Sequence, residues 1–310
     1  MAEPEEALVD ICLYTYNHEN YIAEAIEGIL MQQTTFAYRI VIGEDCSTDN
    51  TRAICIEYKK KYPDKFKLIL QPKNLGAINN SFIVHNTCNA KYVAILEGDD
   101  YWTDPMKLQK QVNFMENNID SAACFHKAHS ERNKIFNEKP SYDIDDVISL
   151  PSTGWVIMTS SIMYRKQAVG TLPPWLLKLK VGDWPIIMLA SINGTINFIN
   201  ETMSTYRVNP TSLMHQSDYS NIKIVHYLIR LYSEFNKYTN YSHKYKIYKQ
   251  LLFLLYQAVI YYKTEKKYYN YYLQKTIYNH YKILLRFKPN NLKSFILFLL
   301  NYPILIFKSV

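Results

Sequence analysis

Between Leu8 and Asp100 the chain alternates four short apolar runs with amphipathic stretches of helix length, and every run ends in a cluster of polar residues. That alternation constrains the fold strongly. Parallel strands cannot be joined by a tight hairpin, so each pair needs a crossover helix, and the helices cover the faces of the sheet. The pattern predicts strands at Leu8 to Tyr14, Tyr38 to Gly43, Lys67 to Leu70 and Tyr92 to Leu96, with helices at Glu19 to Met31, Asp49 to Tyr62 and Gly76 to Cys88. The polar clusters are Thr15-Tyr16-Asn17, Glu44-Asp45-Cys46-Ser47, Gln71 to Asn74 and Glu97-Gly98-Asp99-Asp100. In an open parallel sheet the ligand crevice lies beyond the carboxyl ends of the strands, so these clusters gather where a ligand binds.

Further along, Asp104 as N-cap and Pro105 at the first helical position predict a helix running to Asn117. Residues 121–129 read as a strand, 130–152 as a polar loop, 155–164 as a strand, 183–192 as a helix and 195–208 as a hairpin or paired strands. Everything after Gln216 reads as helical, which divides the chain into a domain at 1–215 and an extension at 216–310. With 310 residues, 48% of them hydrophobic, there is enough apolar material for one catalytic-size core plus such an extension. The five cysteines are scattered through the first half without a Cys-x-x-Cys pair, which fits a reducing compartment and excludes a zinc or dithiol framework. The acidic opening lacks the basic and apolar regions of a signal peptide, so a cytoplasmic chain beginning near residue 1 is expected.

Charge is unevenly spread. The net charge is +7, and from Asn221 onward only Glu234 and Glu265 oppose many lysines and arginines. Tyrosines such as Tyr261, Tyr262, Tyr268, Tyr269, Tyr271 and Tyr272 crowd the same region, and Phe295 to Phe307 is apolar but broken by Asn301 and Pro303. A membrane span needs about 20 apolar residues, more than this stretch offers. The extension suits peripheral contact with an anionic membrane and a lipid-linked acceptor, or else a helical bundle packed on the first domain or on a second subunit.

The sharpest chemical signal is Glu97-Gly98-Asp99-Asp100-Tyr101-Trp102, three carboxylates within four residues directly after an apolar strand. Like charges so close repel one another unless a cation neutralises them, and Mg²⁺ or Mn²⁺ take oxygen ligands that they share with phosphates. A solvated acidic turn, with Asp104 capping the next helix, explains the same residues without a ligand.

Taken in order and spacing, Thr15-Tyr16-Asn17, Glu44-Asp45-Cys46-Ser47-Thr48-Asp49, Asn74-Leu75-Gly76 and Glu97-Gly98-Asp99-Asp100-Tyr101-Trp102 resemble the family 2 inverting glycosyltransferases. The resemblance covers about residues 8 to 215. It implies a GT-A fold, that is, an open, mostly parallel α/β sheet flanked by helices, here with an all-helical C-terminal extension. It also implies a nucleotide-sugar donor, with uracil at the base edge, and a divalent cation, Mn²⁺ or Mg²⁺. By that resemblance Thr15, Tyr16 and Asn17 border the nucleoside, Glu44 and Asp45 lie beside the base, and the Asp45 carboxylate accepts from a base N–H. An ionised carboxylate only accepts, which suits it to such an edge. Ser47 and Asp49 read as the start of the following helix. Asn74 and Gly76 correspond to a third nucleotide-side loop, although Ile78-Asn79-Asn80 stands where the family often has Ala-Arg-Asn.

The acidic motif corresponds to the family's Asp-x-Asp, with Asp99 as metal ligand, Asp100 beside it, and Glu97 in place of the first aspartate. Tyr101 and Trp102 are donor-side walls or core. Asp183, in Gly182-Asp183-Trp184, stands where the family carries its general base, and a helix N-cap is the alternative role. Trp155 and Trp184 line the acceptor site or belong to the core. Tyr206-Arg207-Val208-Asn209 resembles a late Tyr-Arg-x-His loop in which Arg207 meets the diphosphate; Asn209 replaces the histidine, and His215 is a candidate substitute.

The reading that follows is a hexosyltransferase building a surface polysaccharide such as capsule or lipopolysaccharide on a glycan or lipid-linked acceptor, without a nucleic-acid partner. A sugar-phosphate nucleotidyltransferase would carry a Gly-rich phosphate loop near the N-terminus, and a NAD enzyme would show Gly-x-Gly-x-x-Gly after the first strand; neither is present. A non-catalytic module that binds nucleotide-sugar or a membrane surface is the remaining alternative, against which the joint presence of Asp45, Asp99 and Asp183 argues.

Overall fold

The computed structural model describes residues 6–130, 140–153, 157–179, 182–207 and 221–261. The chain divides into two compact units, Met1–Ser217 and Asp218–Val310. The first is an α/β unit whose strands β1 (Val9–Thr15), β2 (Tyr38–Glu44), β3 (Phe66–Leu70) and β4 (Tyr92–Glu97) alternate with helices α1 (Ile22–Leu30), α2 (Thr51–Lys61) and α3 (Ala77–Thr87). The expected strands and helices of this half are all present, with ends shifted by no more than a few residues.

Sheet order is β3-β2-β1-β4, all parallel, continued by β8 (Met163–Arg165), β6 (Ser121–Ser130), β9 (Thr195–Tyr206) and β5 (Tyr101–Trp102). In this second half β8 runs antiparallel to both β4 and β6, and β9 runs parallel to β6. Both faces of β1 are covered, since Val9, Ile11, Cys12 and Leu13 have no exposed surface. Its one charge, Asp10, is buried at the opposite end from the crevice and is satisfied there by Arg39 Nε and Nη2, both at 2.9 Å, and by the Asn89 and Ala90 amides. Helix α1 buries Ile22, Ala25, Ile26 and Ile29 against the sheet. Gly28 on the same stripe is needed for fit, because a Cβ there would lie 2.9 Å from the Trp102 carbonyl oxygen.

Four details depart from the expectations. Helix α4 (Lys107–Asn117) begins two residues later than the Pro105 start, and Asp104 caps the turn ahead of it, accepting from the Met106 amide at 2.8 Å. The segment read as a polar loop holds β7 (Ser141–Tyr142) and α5 (Ile144–Thr153). There the Asp146 amide donates to Asp143 Oδ1 and the Asp143 amide to Asp146 Oδ2, a reciprocal box that starts the helix despite its polar first turn. In place of one strand at 155–164, a 3-10 turn at Thr159–Ser161 precedes β8, and α6 (Lys166–Val169) follows it. Finally, 195–206 is a single strand, β9, whose partners β6, β5 and β7 change along its length through irregular register. Helix α7 (Asp183–Ser191) forms as expected, with Pro185 tolerated in its first turn.

The second unit contains α8 (Asn221–Tyr238) and α9 (Lys244–Tyr261), which pack on each other and bury Leu231, Tyr232, Phe235 and Ile247. Between them Asn240 and Tyr241 take left-handed backbone angles, the usual way to reverse a helix. Among the described residues no helix is long and apolar enough to cross a membrane. The apolar stretch 295–307 and the tyrosines beyond 261 lie outside the described residues.

Candidate active site

Parallel register brings three of the sequence motifs side by side. Thr15 pairs with Glu44 across β1 and β2, and Tyr14 pairs with Glu97 across β1 and β4, so the loops that follow open on one edge of the sheet. The turn after β4 is tight: the Gly98 amide donates to the Tyr14 carbonyl and the Asp100 amide to the Glu97 carbonyl. Only glycine fits at 98, because a Cβ would stand 2.6 Å from Thr15 Oγ1 and 2.8 Å from His18 Nδ1. Thr15 is buried, and its hydroxyl is hydrogen-bonded to His18 Nδ1 at 3.2 Å. The other ring nitrogen of His18 approaches Asp99 Oδ2 to 3.9 Å. Burial lowers the His18 pKa, partly opposed by Asp99 and Asp49, which favours a neutral ring at pH 7.

Four carboxylates share this edge. Burial, and then the charges of Asp99, Asp100 and Asp183, push the Glu97 carboxyl well above the ordinary glutamate range. Burial and Asp99 do the same to Asp100, opposed by the Arg207 amide and guanidinium. Asp100 Oδ1 accepts from the Arg207 amide at 3.0 Å, while Oδ2 is buried without a partner at hydrogen-bond distance, although the Ser160 hydroxyl, which also meets that of Ser204, helps to hold the carboxyl down. Asp183, at the first position of α7, is raised by burial and held down by the Trp184 amide, its own amide and Thr159. The Thr159 hydroxyl, on the 3-10 turn, donates to Asp183 Oδ2 at 3.3 Å and also acts on Glu97.

Arg207 closes the other side. Its Nη1 donates to the Asp99 carbonyl at 2.8 Å, its Nη2 pairs with Glu24, and the guanidinium lies 4.2 Å from the Tyr101 ring centroid. Tyr101 is half-buried under that cation, whereas Trp102 and Trp184 are core residues with 1% exposure each.

The remaining motif residues tie loops together. Asp45 Oδ1 accepts from the Leu75 amide at 2.8 Å and Oδ2 from the Gly76 amide at 2.9 Å, so the third loop hangs on the second. Asn74 Oδ1 also accepts from the Gly76 amide, and Gly76 has φ +83° with open space around its α-carbon. Asn17, itself at φ +53°, receives the Thr48 amide on Oδ1 and donates its own amide to Ser47 Oγ. The Asp49 carboxylate caps α2 and takes the Glu19 amide, while Glu19 takes the Asn50 amide. Tyr16 is 38% exposed at the rim. Glu44 is fully buried; Arg52 and the Ser47 amide occupy its two oxygens, so its carboxylate is engaged within the protein. Trp155, Asn209 and His215 lie outside the described residues.

Sequence reasoning missed His18, Glu24 and Thr159. His18 follows the first cluster directly and could have been read from its position. Glu24 and Thr159 carry no such signal, because each meets its partner only through the fold.

Among the described residues no three His, Cys, Asp or Glu side chains are grouped to hold a metal ion. The donor set nevertheless fits Mg²⁺ or Mn²⁺, which use one or two carboxylates, several waters and substrate phosphates. Mutually repelling carboxylates and the orphaned Asp100 Oδ2 are what such a cation would relieve.

The family described as Glycosyl transferase family 2 matches residues 10–172. A protein of Mycobacterium tuberculosis without assigned function is 31% identical over 223 residues, covering 67% of this chain and 61% of its own length. The chain thus spans about 61% of the curated relatives it matches first. A putative teichuronic acid biosynthesis glycosyltransferase of Bacillus subtilis is 32% identical over 213 residues, covering 66% of this chain and 81% of that protein. Among solved structures, Staphylococcus aureus TarS 1-349 in complex with UDP superposes with TM-score 0.58 at 17% identity, over 93% of this chain and 78% of that one. A Pyrobaculum calidifontis mannosyltransferase in complex with GDP-Man and Mn²⁺ gives TM-score 0.56 at 13% identity, over 91% and 89%. These likenesses establish the shared GT-A fold.

Proposed function

The chain belongs to glycosyl transferase family 2, and from that premise we propose that it transfers a sugar from a nucleotide-sugar donor, UDP-linked, to a hydroxyl of a glycan or lipid-linked acceptor, with inversion at the anomeric carbon. The observation that carries this reading is the meeting of Asp99 and Glu97, from the strand-end motif, with Asp183, from the start of α7, around one crevice edge. A strand-end acidic motif alone suits a binding module; a second carboxylate arriving from a distant helix supplies a base.

Donor binding falls to the first three loops. Asp45, Leu75 and Gly76 form one clasp on the base side, Thr15 and Tyr16 flank the nucleoside, and Asn17 holds the first two loops in register. Asp99, with Asp100 beside it, would hold Mg²⁺ or Mn²⁺, which when bound neutralises charge on the diphosphate leaving group. Arg207 presents a planar cation next to Asp99, suited to a phosphate oxygen. Asp183 accepts the proton of the acceptor hydroxyl as it attacks, and its buried setting raises its basicity above that of a solvated aspartate. Direct displacement requires no covalent glycosyl-enzyme.

The teichuronic acid relative supports a surface polymer as the product class. The basic, tyrosine-rich residues 216–310 are assigned to peripheral contact with the anionic inner face of a membrane, where lipid-linked acceptors are found. Nucleotide release measured across UDP-, GDP- and dTDP-sugars, with and without Mn²⁺, tests the reading against Asp99→Ala. Metal-dependent release of one nucleotide, lost in the variant, is expected; silence throughout, with no nucleotide-sugar binding by calorimetry, would leave a non-catalytic module.

A further inference from the structure

The 3-10 turn at Thr159–Ser161 reaches both Asp183 and Glu97 at the crevice edge, yet the resemblance gives none of its residues a role. Its first residue donates a hydrogen bond to Asp183 Oδ2 and acts on Glu97. The Ser160 carbonyl accepts the indole N–H of Trp102 at 2.9 Å, and the Ser160 hydroxyl meets that of Ser204 at 3.2 Å. Gln111 on α4 donates its amide to the Ser161 carbonyl at 2.9 Å, and the Ile95 amide on β4 donates to the Ile162 carbonyl just beyond. Trp102 and Ser204 are themselves paired across β5 and β9. The turn is therefore anchored on the strand that follows the acidic motif, on the strand that leads to Arg207, and on the helix behind both.

One oxygen of Asp183 is already engaged by the Trp184 amide at 2.8 Å, which leaves Oδ2 as the atom whose direction Thr159 sets. A hydroxyl carries one proton, and of the two carboxyls that Thr159 acts on, Glu97 and Asp183, its hydrogen bond goes to Asp183. We propose that Thr159 is a positioning residue for the transfer reaction, its hydroxyl aiming Asp183 Oδ2 from a turn clamped by Trp102 and Gln111. This rests on the assignment of Asp183 as base. Such alignment affects the chemical step and leaves donor binding alone, because rate depends on the near-attack geometry of the reacting groups.

The test compares Thr159→Val, which keeps the shape and removes the hydroxyl, with Thr159→Ser, which keeps the hydroxyl. Both are measured alone and in an Asp183→Asn background, on whichever of UDP-glucose, UDP-galactose, UDP-GlcNAc and UDP-GalNAc the unmodified protein turns over fastest. Thr159→Val should lower kcat by about 10- to 100-fold, the loss of one hydrogen bond to a charged group, with donor KM and calorimetric affinity for UDP plus Mn²⁺ unchanged. Thr159→Ser should stay within about 3-fold of the unmodified protein, and Thr159→Val should add less than about 2-fold to the loss already caused by Asp183→Asn. An unchanged kcat in Thr159→Val, failure of serine to rescue, a weakened UDP affinity, or full additivity with Asp183→Asn would each overturn the positioning role while leaving Asp183 as base. Full activity in Asp183→Asn would overturn the base assignment and, with it, this inference.

Discussion

Replacing Lys107 with methionine should change the pH dependence of stability in a way that can be calculated. Lys107 has no exposed surface, lies 3.9 Å from the Trp102 ring centroid and donates to Gln111 Oε1 at 2.6 Å, with no acid beside it. Burial lowers its pKa from 10.5 to about 7. Between those two values the unfolded chain binds more protons than the folded one, so the lysine makes stability rise with pH. Linkage puts the cost of charging this site at about 4.5 kcal/mol at pH 6 and about 2 kcal/mol at pH 9. Lys107→Met removes that cost at every pH but leaves Gln111 Oε1 without its donor, a penalty of about 1–3 kcal/mol that does not depend on pH. The variant should therefore be more stable at pH 6, and its advantage should shrink by about 2–3 kcal/mol on going to pH 9. The buried neighbours contribute little over this window, since burial, more than the Lys107 charge, holds His126 well below 6.5, and burial pushes Cys124 up to about 12 against that charge. Urea unfolding followed by tryptophan fluorescence at pH 6, 7, 8 and 9 measures the difference. A gap constant to within about 0.5 kcal/mol across the series would refute the depressed lysine.

Other perturbations separate backbone, steric and polar effects around the crevice. Gly98→Ala forces a Cβ to within 2.6 Å of Thr15 Oγ1, so it should cost about 1–3 kcal/mol and weaken UDP–Mn²⁺ binding, whereas Gly76→Ala, with open space but φ +83°, should cost about 1 kcal/mol; thermal unfolding and calorimetry compare the two. Asp45→Asn leaves one acceptor for two amides, from Leu75 and Gly76, and should weaken UDP binding at least about tenfold; an unchanged affinity would detach this clasp from the nucleoside site. Arg207→Ala should lower kcat and raise donor KM together, and should bring the Asp100 carboxyl higher still, since the Arg207 charge now holds it down; a donor titration together with carboxyl NMR reads both.

The parallel half of the sheet was legible because each of its strands is an apolar run closed by polar turn residues, and because parallel pairing forces a helix between neighbours. The carboxylate cluster at a strand end marked Asp99, whereas Asp183 came only from the resemblance to family 2. Apart from that resemblance nothing in the residues brought the two together, since their meeting follows from how α7 docks beside the turn at 159–161, a relation between residues 24 positions apart. Thr159 was illegible for the same reason: a threonine in a 3-10 turn looks like any other. Helix α5 was hidden by Asp143, Asp145 and Asp146, which read as loop composition until two of them are seen capping its start. Glu44 shows the reverse limit, because a carboxylate at a strand end looks available until Arg52, eight residues later in α2, is seen to hold it.

The hydrogen bonds between the first two loops have a consequence for engineering. Asn17 is joined to Ser47 and Thr48, and Glu19 to Asp49 and Asn50, so each contact has one half in each loop. A graft of either loop alone into a related scaffold would carry half of every bond and leave amides facing strangers. The smallest portable piece for altering nucleotide preference is the pair, residues 15–19 together with 44–52, moved as one.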